Sequence, residues 1–250
     1  DLLVLRISHT HVDFVNSLRR SILNHVPTAA ISTVHVLENQ SVMADEFLSH
    51  RLGLVPLACP ADPATDVAAE PFELEARGPG LVTSGQLRPP TLRVVDPHLP
   101  LVLLGDKQEI RLRAFARWGT GQEHARFSPV APVFYRFVPR VEVADIEDWG
   151  ALQRACPRGV FRDDGTVDAD KCTFCGECTR TGMAAQAARV RVVPEKGEFE
   201  LTVEGTGAMA PRAAVEAAVR ALRARLGAVK EGAGAGAGLS DERSGVPVRA

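Results

Sequence analysis

Four cysteines fall in one short stretch of this 250-residue chain: Cys156 in Ala155-Cys156-Pro157, then Cys172, Cys175 and Cys178 in Lys171-Cys172-Thr173-Phe174-Cys175-Gly176-Glu177-Cys178. Thiols separated by two residues can each take one iron of a cubane while the loop turns its N–H groups toward the sulfides. The fourth ligand must then come from a distance. In two-cluster ferredoxins a Cys-Pro pair outside the triplet supplies such an exchanged ligand. Asp163-Asp164-Gly165 predicts the tight turn that returns Cys156 to the triplet. The segment therefore reads as half of a bacterial-type ferredoxin, with Cys156, Cys172, Cys175 and Cys178 as one complete ligand set for a [4Fe–4S] cluster. Zn²⁺ is the rival occupant, because four thiolates also satisfy a tetrahedral ion, although structural zinc more often sits between two paired C-x₂-C knuckles. No triplet precedes Cys156 and Gly182 stands where a further cysteine would follow, which excludes a two-cluster electron relay. Cys59 lies far away beside prolines and reads as an ordinary free thiol.

These ligands need a frame. Leu2 to Ile7 predicts a strand and Val12 to Asn24 an amphipathic helix, with Val15, Leu18 and Ile22 on its apolar stripe, Arg19 and Arg20 off it, and Pro27 beyond its end. A β-branched run at 30–38 predicts a strand, and Asp45 is expected to cap a second helix that stops at Gly53. Prolines then punctuate short apolar stretches at 72–76, 92–95, 110–116 and 133–143, the last expected to break at Pro139, as in a β-rich region with long turns. Beyond the cysteines, alternating runs at 189–193 and 199–204 flank Pro194-Glu195-Lys196-Gly197 and predict a β-hairpin. Pro211 opens a helix whose apolar stripe, Ala214, Val215, Ala218, Val219, Leu222 and Leu226, runs to Gly227, and the Gly-Ala repeat that follows reads as a flexible tail. The expected fold is α+β: a discontinuous α/β domain from residues 1–57 and 185–230, an inserted β-rich domain at 58–147, a ferredoxin-like cysteine module at 148–184 and a tail at 231–250. Two apolar-striped helices in a domain of so few strands leave surface for a partner subunit.

Composition narrows the function. The formal net charge is −2 and aromatic residues make up 5%, so neither the electrostatic footprint of a duplex binder nor an aromatic stacking platform is present. No apolar run reaches the roughly 18 residues of a membrane span, and no basic-then-apolar leader opens the chain. The start at Asp1 without Met reads as an internal position, with an earlier strand expected upstream. There is no Asp-rich motif for two-metal phosphoryl transfer and no Gly-rich dinucleotide fingerprint.

Several segments, in order, resemble the α-like subunits of cellular DNA-directed RNA polymerases. They are Phe14-Val15-Asn16-Ser17-Leu18-Arg19-Arg20, Val26-Pro27-Thr28, Glu38-Asn39-Gln40-Ser41-Val42 and Asp45-Glu46-Phe47-Leu48-Ser49-His50-Arg51-Leu52-Gly53-Leu54-Val55-Pro56-Leu57. Gly119-Thr120-Gly121-Gln122-Glu123-His124-Ala125-Arg126-Phe127-Ser128-Pro129-Val130 is similar to the family's second signature, and Val203-Glu204-Gly205-Thr206-Gly207 with the helix after Pro211 to its dimerisation element. The resemblance spans residues 2–229. It implies a discontinuous dimerisation domain that pairs with the smaller α-like subunit, forming a non-catalytic scaffold on which the two large catalytic subunits assemble, with small zinc-binding subunits as further neighbours. The partner-facing residues it implies are Asn16, Leu18, Arg19, Arg20, Val215, Val219 and Leu222 on the helices, Arg51 toward a large subunit, and His124 and Phe127 toward the second-largest subunit. For each arginine, a solvated helix face is an equal reading. The polymerase II form of the family carries a zinc loop after the segment matching Leu54 to Leu57, where this chain has Cys59 alone. The complete cysteine set resembles the cluster-bearing archaeal form of the family, which is cytoplasmic, and some polymerase I/III forms, which are nuclear. A stand-alone iron–sulfur redox protein on a borrowed fold is the competing reading.

Overall fold

The computed structural model describes residues 1–60, 65–68, 71–88, 92–144, 146, 148–180 and 189–236. The chain is α+β and divides into two compact units, the first made of Asp1–Leu3, Ser17–Val133 and Val203–Ala250, the second of Val4–Asn16 and Phe134–Thr202. The cysteine module falls in the second unit. Residues 181–184 of that module, 185–188 of the expected discontinuous domain and 237–250 of the expected tail lie outside the described residues.

In the first unit, β2 (Pro27–Asn39) pairs antiparallel with β6 (Glu109–Thr120), and β6 pairs antiparallel with β3 (Phe72–Arg77). Period-two alternation sets the inward face: Ile110, Leu112, Ala114 and Ala116 of β6 are buried, while Arg111 and Arg113 between them are exposed. The exposed arginines meet carboxylates across the strands, Arg113 with Glu73 at 3.1 Å and Arg111 with Glu38 at 3.8 Å. Helix α2 (Asp45–Gly53) places Leu48 and Leu52 in this core. Its N-cap is Ala44, not Asp45, because Asn39 Nδ2 holds the Asp45 carboxylate at 2.7 Å. β4 (Gly80–Thr83) and β5 (Pro100–Leu104) form a separate two-stranded sheet. The expected strand at 92–95 reduces to one bridge, Val94 with Leu57.

Helix α1 (Val12–Asn24) begins and ends where its stripe predicted, with Val15, Leu18 and Ile22 buried. In the first unit, the Ser21 hydroxyl donates to the Ala218 carbonyl at 2.9 Å, tying α1 to α4 (Pro211–Gly236). α4 continues past Gly227, where its stripe was expected to end, because the alanines and basic residues around that glycine favour helix strongly enough to carry one poor position.

The remaining sheet has the order β1 (Leu2–Ile7), β8 (Val190–Gly205), β7 (Val130–Val143). Two expectations fail here. Residues 190–205 form one strand, not a hairpin: β8 is central, flanked by β1 and β7, and pairs outward with them instead of back on itself. Gly197 absorbs the expected turn locally at φ 76°, with its carbonyl accepting from Thr10 N at 3.2 Å. Pro139 does not break β7, which is an edge strand, where a missing N–H donor is tolerated. Among the described residues no helix is long and apolar enough to cross a membrane.

Candidate functional site

The second unit gathers the cysteines. Asp148 caps α3 (Trp149–Ala155) by accepting from Ala151 N at 2.8 Å, and Cys156 is the residue at which that helix ends. The chain then reverses as the sequence predicted. Phe161 bridges Val167, Arg162 N donates to Thr166 O at 2.9 Å, and Gly165 takes φ 80° at the turn. The Arg162 guanidinium holds Asp168 at 2.6 Å, and Trp149 packs edge-on against Phe161 while its Nε1 donates to Arg162 O at 2.8 Å. This hairpin delivers the chain to Cys172. Gly176 is left-handed at φ 75°, a conformation that lets the loop turn between Cys175 and Cys178.

All four cysteines line one small, solvent-open pocket, whose other walls include Val160, Phe161 and Val192. Cys172 and Cys178 are buried in the apolar cluster around Leu152, while Cys175 is exposed. Burial pushes the Cys178 thiol up, and the charges of Cys172, Cys156 and Cys175 push it the same way, so the four groups feel one another. A sulfur-only donor set in an apolar wall suits a soft metal group. Among the described residues no set of three or more His, Cys, Asp or Glu side chains is drawn together tightly enough to hold a single ion. Cys59 stands apart in the first unit. Its half-buried sulfur accepts from Ala29 N at 3.2 Å, and burial raises its pKa, as befits an inert thiol.

The residues that resemblance assigned to partners divide by burial. On α1, Leu18 is 4% exposed and lies in this chain's own core; Asn16 and Arg19 are half-buried and engaged, and Arg20 is exposed. Arg51 donates from its guanidinium to the Pro100 carbonyl. Phe127 is buried, with the Arg117 guanidinium 4.7 Å above its ring and the Thr28 hydroxyl donating to its carbonyl. His124 is exposed and caps the short 3₁₀ turn of Ala125–Phe127, accepting from Arg126 N at 3.1 Å. Arg126 in turn donates to Ile31 O at 3.0 Å across Gly53, where a Cβ would stand 2.8 Å from the guanidinium. On α4, Val215 and Leu222 are half-buried and Val219 is 38% exposed. Leu226 and Val229 extend the same surface at 62% and 68% exposure.

Sequence reasoning missed Arg136. Its guanidinium pairs both Nε and Nη2 with Glu200, at 2.7 and 2.9 Å, and its Nη1 donates to Asp170 O at 3.0 Å. The available signal was a lone arginine inside the otherwise apolar run Val133-Phe134-Tyr135-Arg136-Phe137-Val138.

An exposed apolar helical face on an α+β chain of this kind is what a subunit dimerisation domain presents. The chain belongs to the RNA polymerase Rpb3/Rpb11 dimerisation-domain family, whose profile matches residues 5–226. It is similar to DNA-directed RNA polymerase subunit Rpo3 of Thermococcus kodakarensis, at 32% identity over 86% of this chain and 87% of that one. It is likewise similar to the Rpo3 subunits of Methanothermobacter thermautotrophicus, at 34% over 84% and 86%, and of Halobacterium salinarum, at 37% over 78% of each chain.

Proposed function

We propose that the chain is the larger α-like subunit of an archaeal DNA-directed RNA polymerase, a non-catalytic scaffold in the cytoplasm. It pairs with the smaller α-like subunit, and the two large subunits assemble on that pair. The carrying observation is the exposed face of α4. Val215, Val219, Leu222, Leu226 and Val229 recur at alternating spacings of four and three, the pattern with which one helix packs along another. Val219, Leu226 and Val229, at 38 to 68% exposure in that register beside half-buried Val215 and Leu222, fit a helix supplied by another subunit. Val219→Asp and Leu226→Asp in the full chain should abolish co-purification with the small α-like subunit. The unfolding free energy of the chain alone should fall by only about 1–2 kcal/mol, mostly from the packed part of Val219, since Leu226 is already largely exposed. Recovery of the unmodified protein from its host as a stable monomer, without polymerase subunits, would refute the assignment.

We also infer that Cys156, Cys172, Cys175 and Cys178 would hold a [4Fe–4S] cluster with a structural role. Bound there, the cluster would supply a covalent tie between the end of α3 and the Cys172–Cys178 turn, coupling metal uptake to folding of this module. Zn–S bonds of about 2.3 Å would draw four thiolates to within roughly 4 Å of one another. A cubane spreads them further, because each sulfur binds its own iron. A C-x₂-C-x₂-C triplet with a distant Cys-Pro, in place of two paired C-x₂-C knuckles, favours the cubane. Cys175→Ser tests this. The native protein purified without oxygen should carry iron and acid-labile sulfide with visible absorption, and the variant should lose both along with thermal stability. Stoichiometric zinc and no visible absorption in the native protein would overturn the cluster.

A further inference from the structure

The turn that presents Cys172 is gripped by one face of the β1–β8–β7 sheet. Central strand β8 carries Glu198 and Glu200 two residues apart, hence on one face, with Phe199 between them buried on the other. An arginine from each flanking strand meets these carboxylates. Arg6 of β1 lies 3.5 Å from Glu198, and Arg136 of β7 forms the two-point pair with Glu200. Both arginines also converge on the residue two before Cys172. Arg136 Nη1 donates to the Asp170 carbonyl at 3.0 Å and points at the Cys172 carbonyl 3.5 Å away, while Arg6 Nη1 stands 4.0 Å from the Asp170 carboxylate. On the opposite face, Tyr135, Phe137 and Phe199 pack ring against ring, which fixes the strands from which the two charged residues project.

From this geometry we infer that Arg136, oriented by Glu200, is a positioning residue for the metal site: it holds the 170–172 turn so that the Cys172 thiol faces the cavity. The inference rests on the cluster reading above. A two-point guanidinium–carboxylate pair fixes the plane and direction of the third nitrogen, which a lysine cannot reproduce. Glu200 makes no contact with the cysteine loop of its own among the described hydrogen bonds and ion pairs. It acts through Arg136, and the double variant should be no worse than Arg136→Gln alone.

The test uses the full-length chain, purified without oxygen and reconstituted with ferric iron, sulfide and a thiol reductant, as native protein and as Arg136→Gln, Arg136→Lys, Glu200→Gln and the Arg136→Gln/Glu200→Gln pair. Iron release to a ferrous chelator should accelerate on the order of ten- to hundred-fold in Arg136→Gln, as when the partner that orients a metal ligand is removed. Arg136→Lys and Glu200→Gln should fall between, and circular dichroism of the metal-free chains should be unchanged. The reduction potential separates positioning from charge. Removing the cation disfavours the more negative reduced cluster and lowers the potential, whereas Glu200→Gln removes an anion and raises it. Both variants should nevertheless release iron faster. Release at the native rate in Arg136→Gln, or faster release in that variant alone with Glu200→Gln unchanged, would overturn the clamp while leaving the cluster in place. A native chain that takes up no iron and sulfide would overturn the cluster reading and the clamp with it.

Discussion

Gly119→Ala is informative because the structure says which atom the new methyl would strike. A Cβ at Gly119 would lie 2.8 Å from three carbons of the Phe127 ring, where ordinary carbon contacts begin near about 3.5 Å. The ring cannot easily yield. It is 1% exposed, lies under the Arg117 guanidinium, and belongs to a turn held by the Thr28 and His124 contacts. Overpacking of this kind costs about 1–3 kcal/mol, and the usual gain from replacing glycine in a strand, about 0.5–1 kcal/mol, offsets part of it. A net loss of about 1–2 kcal/mol is expected for Gly119→Ala alone. Phe127→Ala alone should cost about 3–5 kcal/mol, as a buried aromatic truncation does. In the double variant the ring is gone and the methyl enters the space it left, so Gly119→Ala should then cost nothing or stabilise. The coupling between the two sites is expected to be at least about 1 kcal/mol. Urea unfolding followed by Trp118 fluorescence in a Trp149→Phe background reports on the first unit, because Trp118 adjoins the site and Trp149 lies in the other unit. Additivity within about 0.5 kcal/mol would refute the argument that Gly119 is required by the ring.

Ser21→Ala should lower the unfolding free energy by about 1 kcal/mol, because it leaves the buried Ala218 carbonyl without its 2.9 Å donor; urea unfolding of the lone chain checks this, and an unchanged midpoint would remove the hydroxyl from the α1–α4 contact. His25 is shifted down by burial first, then by the charge of Arg225, and by Arg20. A folded-state pKa below the unfolded one means the unfolded chain binds the proton more readily, so this contribution is intact above the ordinary imidazole range and is lost as pH falls through it. Between roughly pH 7 and pH 5 the native chain should lose more stability than His25→Gln does, and parallel pH profiles for the two would count against it.

How much of the four-cysteine site is legible in the sequence follows from the range of the interactions that build it. Cys156, Gly165 and the Cys172–Cys178 triplet lie within one short segment, and local turn chemistry is enough to bring them together. The grip on that segment is different. Arg136 meets Glu200 across 64 positions and Asp170 across 34, and although it stands alone in an apolar run, nothing local says which groups it meets. The merged β8 was hidden for a related reason: Pro194 and Gly197 are turn residues by local preference, and only the presence of strands on both sides overrides that preference. Resemblance named Leu18 and Phe127 as part of a signature, but a signature does not say which way a side chain faces. Both are large and apolar, and the chain's own core takes them.

Helix α4 shows where a periodicity argument has to be refined to reach function. Read as one stripe, Ala214, Val215, Ala218, Val219, Leu222 and Leu226 predict a single apolar face. At 100° per residue they form two adjoining faces. Ala214 and Ala218 lie within about 40° of each other, and Val215, Val219, Leu222 and Leu226 follow over the next arc. The structure separates them along that line, with both alanines fully buried while exposure rises from half-buried Val215 to Leu226 at 62%. Small side chains allow α4 to approach its own chain closely, as the Ser21–Ala218 contact requires, and the large ones are directed elsewhere. A helix stabilised only by its own domain would place its largest apolar residues inward, where each contributes about 1.5–3 kcal/mol. The reversed order, alanine inward and valine and leucine outward, is the arrangement expected of a helix packed on both sides, and it is the ground on which the outer face of α4 is proposed to meet a second subunit.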